Sequence, residues 1–202
     1  MIPSSLINMN GDLLCAVDTE TTGLFPGYHE IFQIDFVPLN SDMEQHPGLK
    51  PFYINIAPDY PERESGAGAV HGISMESLLH SGVSQVDSAD MFDEWFTNLE
   101  LPFGRRLIPL AHNWAFERGF LMQWLGLETF TDIWSGHPRD TLIMGNLLND
   151  LAAWHGRAIP FPKLNLTAMC EIMGVSLLNA HDALADCLAT AALYRNMLRC
   201  CG

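Results

Sequence analysis

Basic side chains are scarce in this chain of 202 residues, which carries 10 Lys and Arg against 24 Asp and Glu, for a formal net charge of −14. So few cations argue against a protein that grips long nucleic-acid duplexes by neutralising many phosphates. Bound divalent cations would reverse the local sign if several of the acids were ligands. Long apolar runs are missing too, since no stretch approaches the roughly 18 uninterrupted residues of a membrane helix. The opening residues MIPSSLINMNGDLL lack the basic start and long apolar core of a secretory signal. A cytoplasmic protein with no membrane partner is expected. Cysteine occurs only five times, an odd number, with no C-x-x-C pair. Cys15 in an apolar strand and Cys187 in an Ala-rich helix are expected to be reduced, structural thiols. Internal repeats, low-complexity tracts and linker-like boundaries are absent, so residues 1–202 are expected to form a single domain.

What is present is a well-supplied core, 48% of the residues being hydrophobic. LLCAVD (13–18) reads as a buried strand. IFQIDFVPL (31–39) alternates Ile31, Gln33 and Asp35 against Phe32, Ile34 and Phe36, and FYINI (52–56) is a third strand. Three early strands joined by turns predict an antiparallel meander. SGAGAV (65–70) is a flexible loop by composition. It leads to a short helix that Ser74 can cap, with Glu76 in its first turn. A helix over 91–101 is expected to enter through Asp87 or Ser88. RLIPLAHN (106–113) reads as a strand and WAFERGFLMQWLG (114–126) as a helix that Gly126 can end. Further helices are predicted over 141–151, over 166–175 with Asn165 or Thr167 at its start, and over 182–199. The pattern is that of an α/β domain with a mixed sheet.

AVDTETTGL (16–24) delivers Asp18 and Glu20 to one side of a strand end, because side chains alternate with period two. Asp-x-Glu is common, and a metal site requires further acids to converge on it. Two candidates lie on apolar helix faces, where an acid is expensive unless paired or metal-bound. Glu117 is flanked by Phe116, Phe120 and Leu121, and Asp186 by Ala, Leu and Cys. His181 stands five residues before Asp186, where that helix begins. Asp182 reads as an acid in the first helical turn.

DTETTGL with the following HEIFQI, then AHNWAFERGFL, RDTL and HDALADCLATAALY occur in this order between Leu13 and Tyr194. This succession resembles the motifs of the DnaQ-like 3′ to 5′ exonucleases that use a histidine base, the DEDDh family. The resemblance implies an RNase H-like fold: a mixed five-stranded sheet with a three-strand antiparallel meander and two parallel strands, flanked by helices. It also implies nucleotide removal from 3′ ends with two divalent metal ions, Mg²⁺ or Mn²⁺. Asp18 would bridge both ions, Glu20 and Asp186 would complete the first, and Glu117 would serve the second. His181 would deprotonate the attacking water. Independently, carboxylates suit hard divalent ions, and a histidine can accept a proton near neutral pH.

Thr21, Thr22, Gly23 and Leu24 form the turn that, by the same resemblance, holds the terminal nucleotide, with Leu24 wedged against bases. Phe25, Phe116, Trp114 and Trp124 are candidates for base stacking, although most aromatics at helical spacing are core. His112 and Asn113 are expected to organise the strand-to-helix turn, and Asp140 with Thr141 to cap a helix. His71 lies in an HGIS segment also common in these exonucleases. One departure stands out, because the family usually has aspartate where this chain has Glu117. The expected partners are single-stranded DNA or RNA 3′ ends, short oligonucleotides among them, and a polymerase or other protein. The alternative is a catalytically impaired member that serves as an interaction module.

Overall fold

The computed structural model describes residues 11–65, 74–177 and 183–200. Its strands are β1 (Leu13–Thr21), β2 (Ile31–Pro38), β3 (Phe52–Asn55), β4 (Leu107–Ala111) and β5 (Arg139–Asp140). They form one sheet of order β3-β2-β1-β4-β5. β1, β2 and β3 pair antiparallel as the predicted meander, while β4 runs parallel to β1 and β5 parallel to β4. The helices are α1 (Met75–Ser81), α2 (Gln85–Asn98), α3 (Trp114–Leu125), α4 (Leu127–Ile133), α5 (Thr141–Trp154), α6 (Leu166–Ile172) and α7 (Ala183–Cys200). No helix among the described residues is long and apolar enough to cross a membrane.

The alternation of β1 assigns its two faces. Cys15 and Val17 pack with Ile34, Phe36, Phe92, Phe120 and Trp134 in the larger core, filled by aromatics from α2, α3 and the segment after α4. Leu14 and Ala16 pack with Val37, Cys187, Ala191 and Tyr194. Ala183, Cys187 and Ala191 recur every four residues along α7, and this row of small side chains lets the helix lie close on β1 and β2. Cys15, Cys170 and Cys187 are buried free thiols, as the cysteine pattern predicts, and Cys200 is free and exposed.

Several boundaries differ from the sequence expectations. α2 begins earlier, because Ser84 is its cap: the Ser84 hydroxyl accepts from the Asp87 N–H at 3.1 Å. β1 runs three residues past Asp18 into the turn. β5 supplies the fifth strand that the family resemblance implies, although two residues display no period of their own, and the short helix α4 is additional. Ser74 and Asn165 cap α1 and α6 as expected. The expectations for SGAGAV beyond Ser65, His71, His181 and Asp182 lie outside the described residues.

Candidate active site

Asp18 and Glu20 leave β1 on the face covered by α7, and Asp186 reaches them from the first turn of that helix. One carboxylate oxygen from each of Asp18, Glu20 and Asp186 lies within 4.8 Å of the other two. Two strand positions and one helical position converge because β2 fixes the start of α7. Gln33 on β2 accepts the Ala183 N–H with its Oε1 at 3.3 Å, satisfying one of the free donors of the first turn. Its Nε2 donates to the Tyr53 hydroxyl and to Asn55 Oδ1, which holds the amide in that orientation.

The electrostatics of this group are unfavourable without cations. Burial pushes the Asp18 carboxyl well above the usual range, and Glu117, Glu20, Asp186 and Asp35 add repulsion. Asp35 is a further acid that the sequence motifs leave out. It pairs across from Asp18 on β2 and is fully buried under α7. The signal was visible in the alternation of Gln33 and Asp35, but that pattern alone reads as a polar strand face. Here the polar face is covered, with Gln33 only 1% exposed.

Glu117 stands in the first turn of α3, and its carboxylate ends on Thr19, the residue between the two β1 acids. The Thr19 hydroxyl donates to Glu117 Oε2 at 2.5 Å. Glu117 is therefore placed beside β1 but outside the group of three carboxylates. Burial pushes its carboxyl up to about 8; the Thr19 hydrogen bonds oppose this, while Glu20 and Asp140 add to it. The start of α3 is held by Asp140, which accepts from the Asn113 and Trp114 N–H groups at 3.3 and 2.8 Å. The same carboxylate caps α5 through Leu142 and Ile143. Asn113 turns the chain in the left-handed region, φ 77°. His112 Nδ1 shares a 2.8 Å hydrogen bond with the Thr141 hydroxyl. Asp140, Thr141, His112 and Asn113 thus take the organising roles that their positions suggest.

The turn after β1 is tightly braced. The Thr21 hydroxyl donates to the Gly23 carbonyl at 2.7 Å, and the Thr22 hydroxyl accepts from the Glu30 N–H at 3.0 Å. A Cβ on Gly23 would meet the His29 ring at 2.3 Å, so the ring occupies space that only glycine leaves. His29 Nδ1 in turn accepts the Phe25 N–H. Leu24 and Phe25 project outward, 70% and 68% exposed. Of the other aromatic candidates, Trp114 is core, stacked on Phe130 and packed against Trp134, which removes it as a base-stacking residue. Phe116 is half-buried, its ring 5.0 Å from Phe120. Trp124 is half-buried, donates to Ser88, and lines a cavity of about 350 Å³ that none of the three clustered carboxylates borders.

A carboxylate group at the end of a central strand, set in a β3-β2-β1-β4-β5 sheet with a three-strand antiparallel meander, is the arrangement of the RNase H-like fold. Residues 15–194 match the RNase T exonuclease family, and the chain belongs to that family. Its fold is shared with exonuclease I. The E. coli enzyme in complex with a dT13 oligonucleotide superposes with a TM-score of 0.66 at 20% identity, over 91% of this chain and 40% of that one. The zinc-bound E. coli exonuclease I–ssDNA complex gives 0.68 at 19%, over 92% and 40%. The moderately thermophilic exonuclease I from Methylocaldum szegediense gives 0.70 at 21%, over 93% and 40%. This chain thus spans about two fifths of the length of the exonuclease I chains it resembles. No curated protein sequence matches it.

Proposed function

We propose that this chain is a 3′ to 5′ exonuclease that removes nucleotides from single-stranded ends, with residues 1–202 acting as one exonuclease domain. The observation that carries this is the convergence of Asp18, Glu20 and Asp186 within 4.8 Å beside an exposed Leu24–Phe25 turn. Three like charges held this close are costly unless a divalent cation neutralises them, and an all-oxygen donor set suits Mg²⁺ or Mn²⁺. When bound, two such ions activate a water and stabilise the departing 3′ oxygen. In this reading Asp18 would help to hold both ions, and Glu20 and Asp186 would hold the first with it. Glu117 would serve the second ion on leaving its hydrogen bond with Thr19, and His181 would take the proton of the attacking water. Thr21 holds the turn from within, while Leu24, Phe25 and Phe116 meet the terminal nucleotide.

Support for single-stranded DNA comes from the oligonucleotide complexes of exonuclease I. An exonuclease I complex with the C-terminal segment of SSB likewise supports a protein that delivers the strand. With 10 basic residues against 24 acidic ones, short ends or a partner-held strand are favoured over long duplex. The buried free thiols fit a reducing, cytoplasmic setting. The hydrogen bond that draws Glu117 onto Thr19 favours a second reading, in which the fold persists as a binding module with impaired catalysis.

Matched DNA and RNA oligonucleotides incubated with Mg²⁺ or Mn²⁺ separate the two. Cleavage by the wild type supports the enzyme and identifies the preferred sugar. Cleavage by Glu117→Asp alone supports the module.

A further inference from the structure

The chain is poor in cations, yet one of its 10 basic residues packs against two exposed aromatic rings, one of them in the turn that follows the acid-bearing strand β1. The Arg63 guanidinium lies 3.8 Å from the centre of the Tyr60 ring and 5.0 Å from that of Tyr28. Its Nη1 also donates to the Tyr28 carbonyl at 3.3 Å. Tyr28 continues edge-on to His29, which stacks with Phe25, so rings and guanidinium form a continuous row. Tyr28 is 55% exposed and Tyr60 47%. The row is a built feature. Buried Glu30 accepts from the Asp59 and Tyr60 N–H groups at 3.3 and 2.8 Å. Ser65 donates from its N–H and its hydroxyl to the Thr22 carbonyl at 2.9 and 3.1 Å, which ties the segment to a residue two positions past Glu20.

We infer that Tyr28, Arg63 and Tyr60 form a stacking platform for single-stranded nucleic acid, receiving bases beyond the pair that flanks the cleaved bond. The inference rests on the nuclease reading of the adjacent carboxylates. The exposed parts of the two rings accept any base, and the guanidinium packed against them adds a positive charge to that surface. Such a surface offsets the repulsion between the strand and an acidic protein where the strand must approach Asp18, Glu20 and Asp186. It also selects for length, because a dinucleotide ends before reaching it.

The test compares a ten-nucleotide dT strand with a dinucleotide in wild type, Tyr60→Ala and Tyr60→Phe, with melting temperatures recorded for each. In Tyr60→Ala the KM for the longer strand rises about tenfold relative to that for the dinucleotide, and Tyr60→Phe restores it. Equal KM ratios in wild type and Tyr60→Ala overturn the platform. Fluorescence anisotropy of the labelled ten-nucleotide strand, with Ca²⁺ replacing Mg²⁺, reads the platform apart from cleavage. If the wild type cleaves nothing yet binds the strand about tenfold more tightly than Tyr60→Ala, the nuclease reading fails and the platform stands. Wild-type binding no tighter than that of Tyr60→Ala removes the platform.

Discussion

Replacing Glu117 by glutamine isolates the electrostatic tension of the site. The side chain is 5% exposed, and its carboxyl is pushed from an ordinary 4.5 up to about 8. Below pH 4.5 the folded and unfolded chains both hold this proton. Between 4.5 and 8 the unfolded chain releases it while the folded chain retains it, so stability falls as pH rises through that window. From pH 5 to pH 7 the loss amounts to about 3 kcal/mol at 1.36 kcal/mol per unit. Glutamine keeps an oxygen for the Thr19 hydroxyl and has no proton to lose. Urea unfolding in EDTA at both pH values reads the difference. The wild-type midpoint falls between pH 5 and pH 7 by about 1 M more than that of Glu117→Gln. The variant retains a smaller slope from Asp18, whose carboxyl is also raised. Identical slopes in the two proteins would refute the assignment of a buried, proton-retaining Glu117.

Further perturbations address other parts of the structure. Mg²⁺ or Mn²⁺ at a hundredfold excess over its dissociation constant raises wild-type stability by about 3 kcal/mol. Denaturation of Asp18→Ala should show a much smaller gain, and an equal gain would place the ions elsewhere. Asp140→Ala leaves the starts of both α3 and α5 without their acceptor and costs about 3 kcal/mol in chemical denaturation. Loss of less than about 0.5 kcal/mol would show that the two helix starts do not depend on it. Gly23→Ala forces the His29 ring to move and lowers the melting temperature, and an unchanged melting temperature would contradict the tight packing of the turn.

Much of this arrangement is legible from short-range pattern. The alternation in 13–18 and 31–38 gives the paired strands and places Asp18 and Glu20 on one face, and caps such as Ser74 and Asn165 mark helix starts. Longer-range features are not legible in this way. Asp35 is buried because α7, about 150 positions later, covers β2, and no local window contains that fact. Thr19 meets Glu117 across 98 residues, and spacing identifies Glu117 as an apolar-face acid without showing what it touches. Tyr60 and Arg63 share one turn, and Tyr28 lies in another about 30 residues earlier; Glu30 and Thr22 bring the two together, so they carry no contiguous motif. β5 is two residues long and owes its existence to pairing with β4.

The most direct test of the central claim is cleavage of a single-stranded oligonucleotide labelled at its 5′ end, followed over time with Mg²⁺ or Mn²⁺ beside Asp18→Ala. A ladder that shortens one nucleotide at a time from the 3′ end, and is lost in Asp18→Ala, is the predicted result. Release of the labelled 5′ nucleotide as the first product, or equal cleavage by Asp18→Ala, would contradict the account.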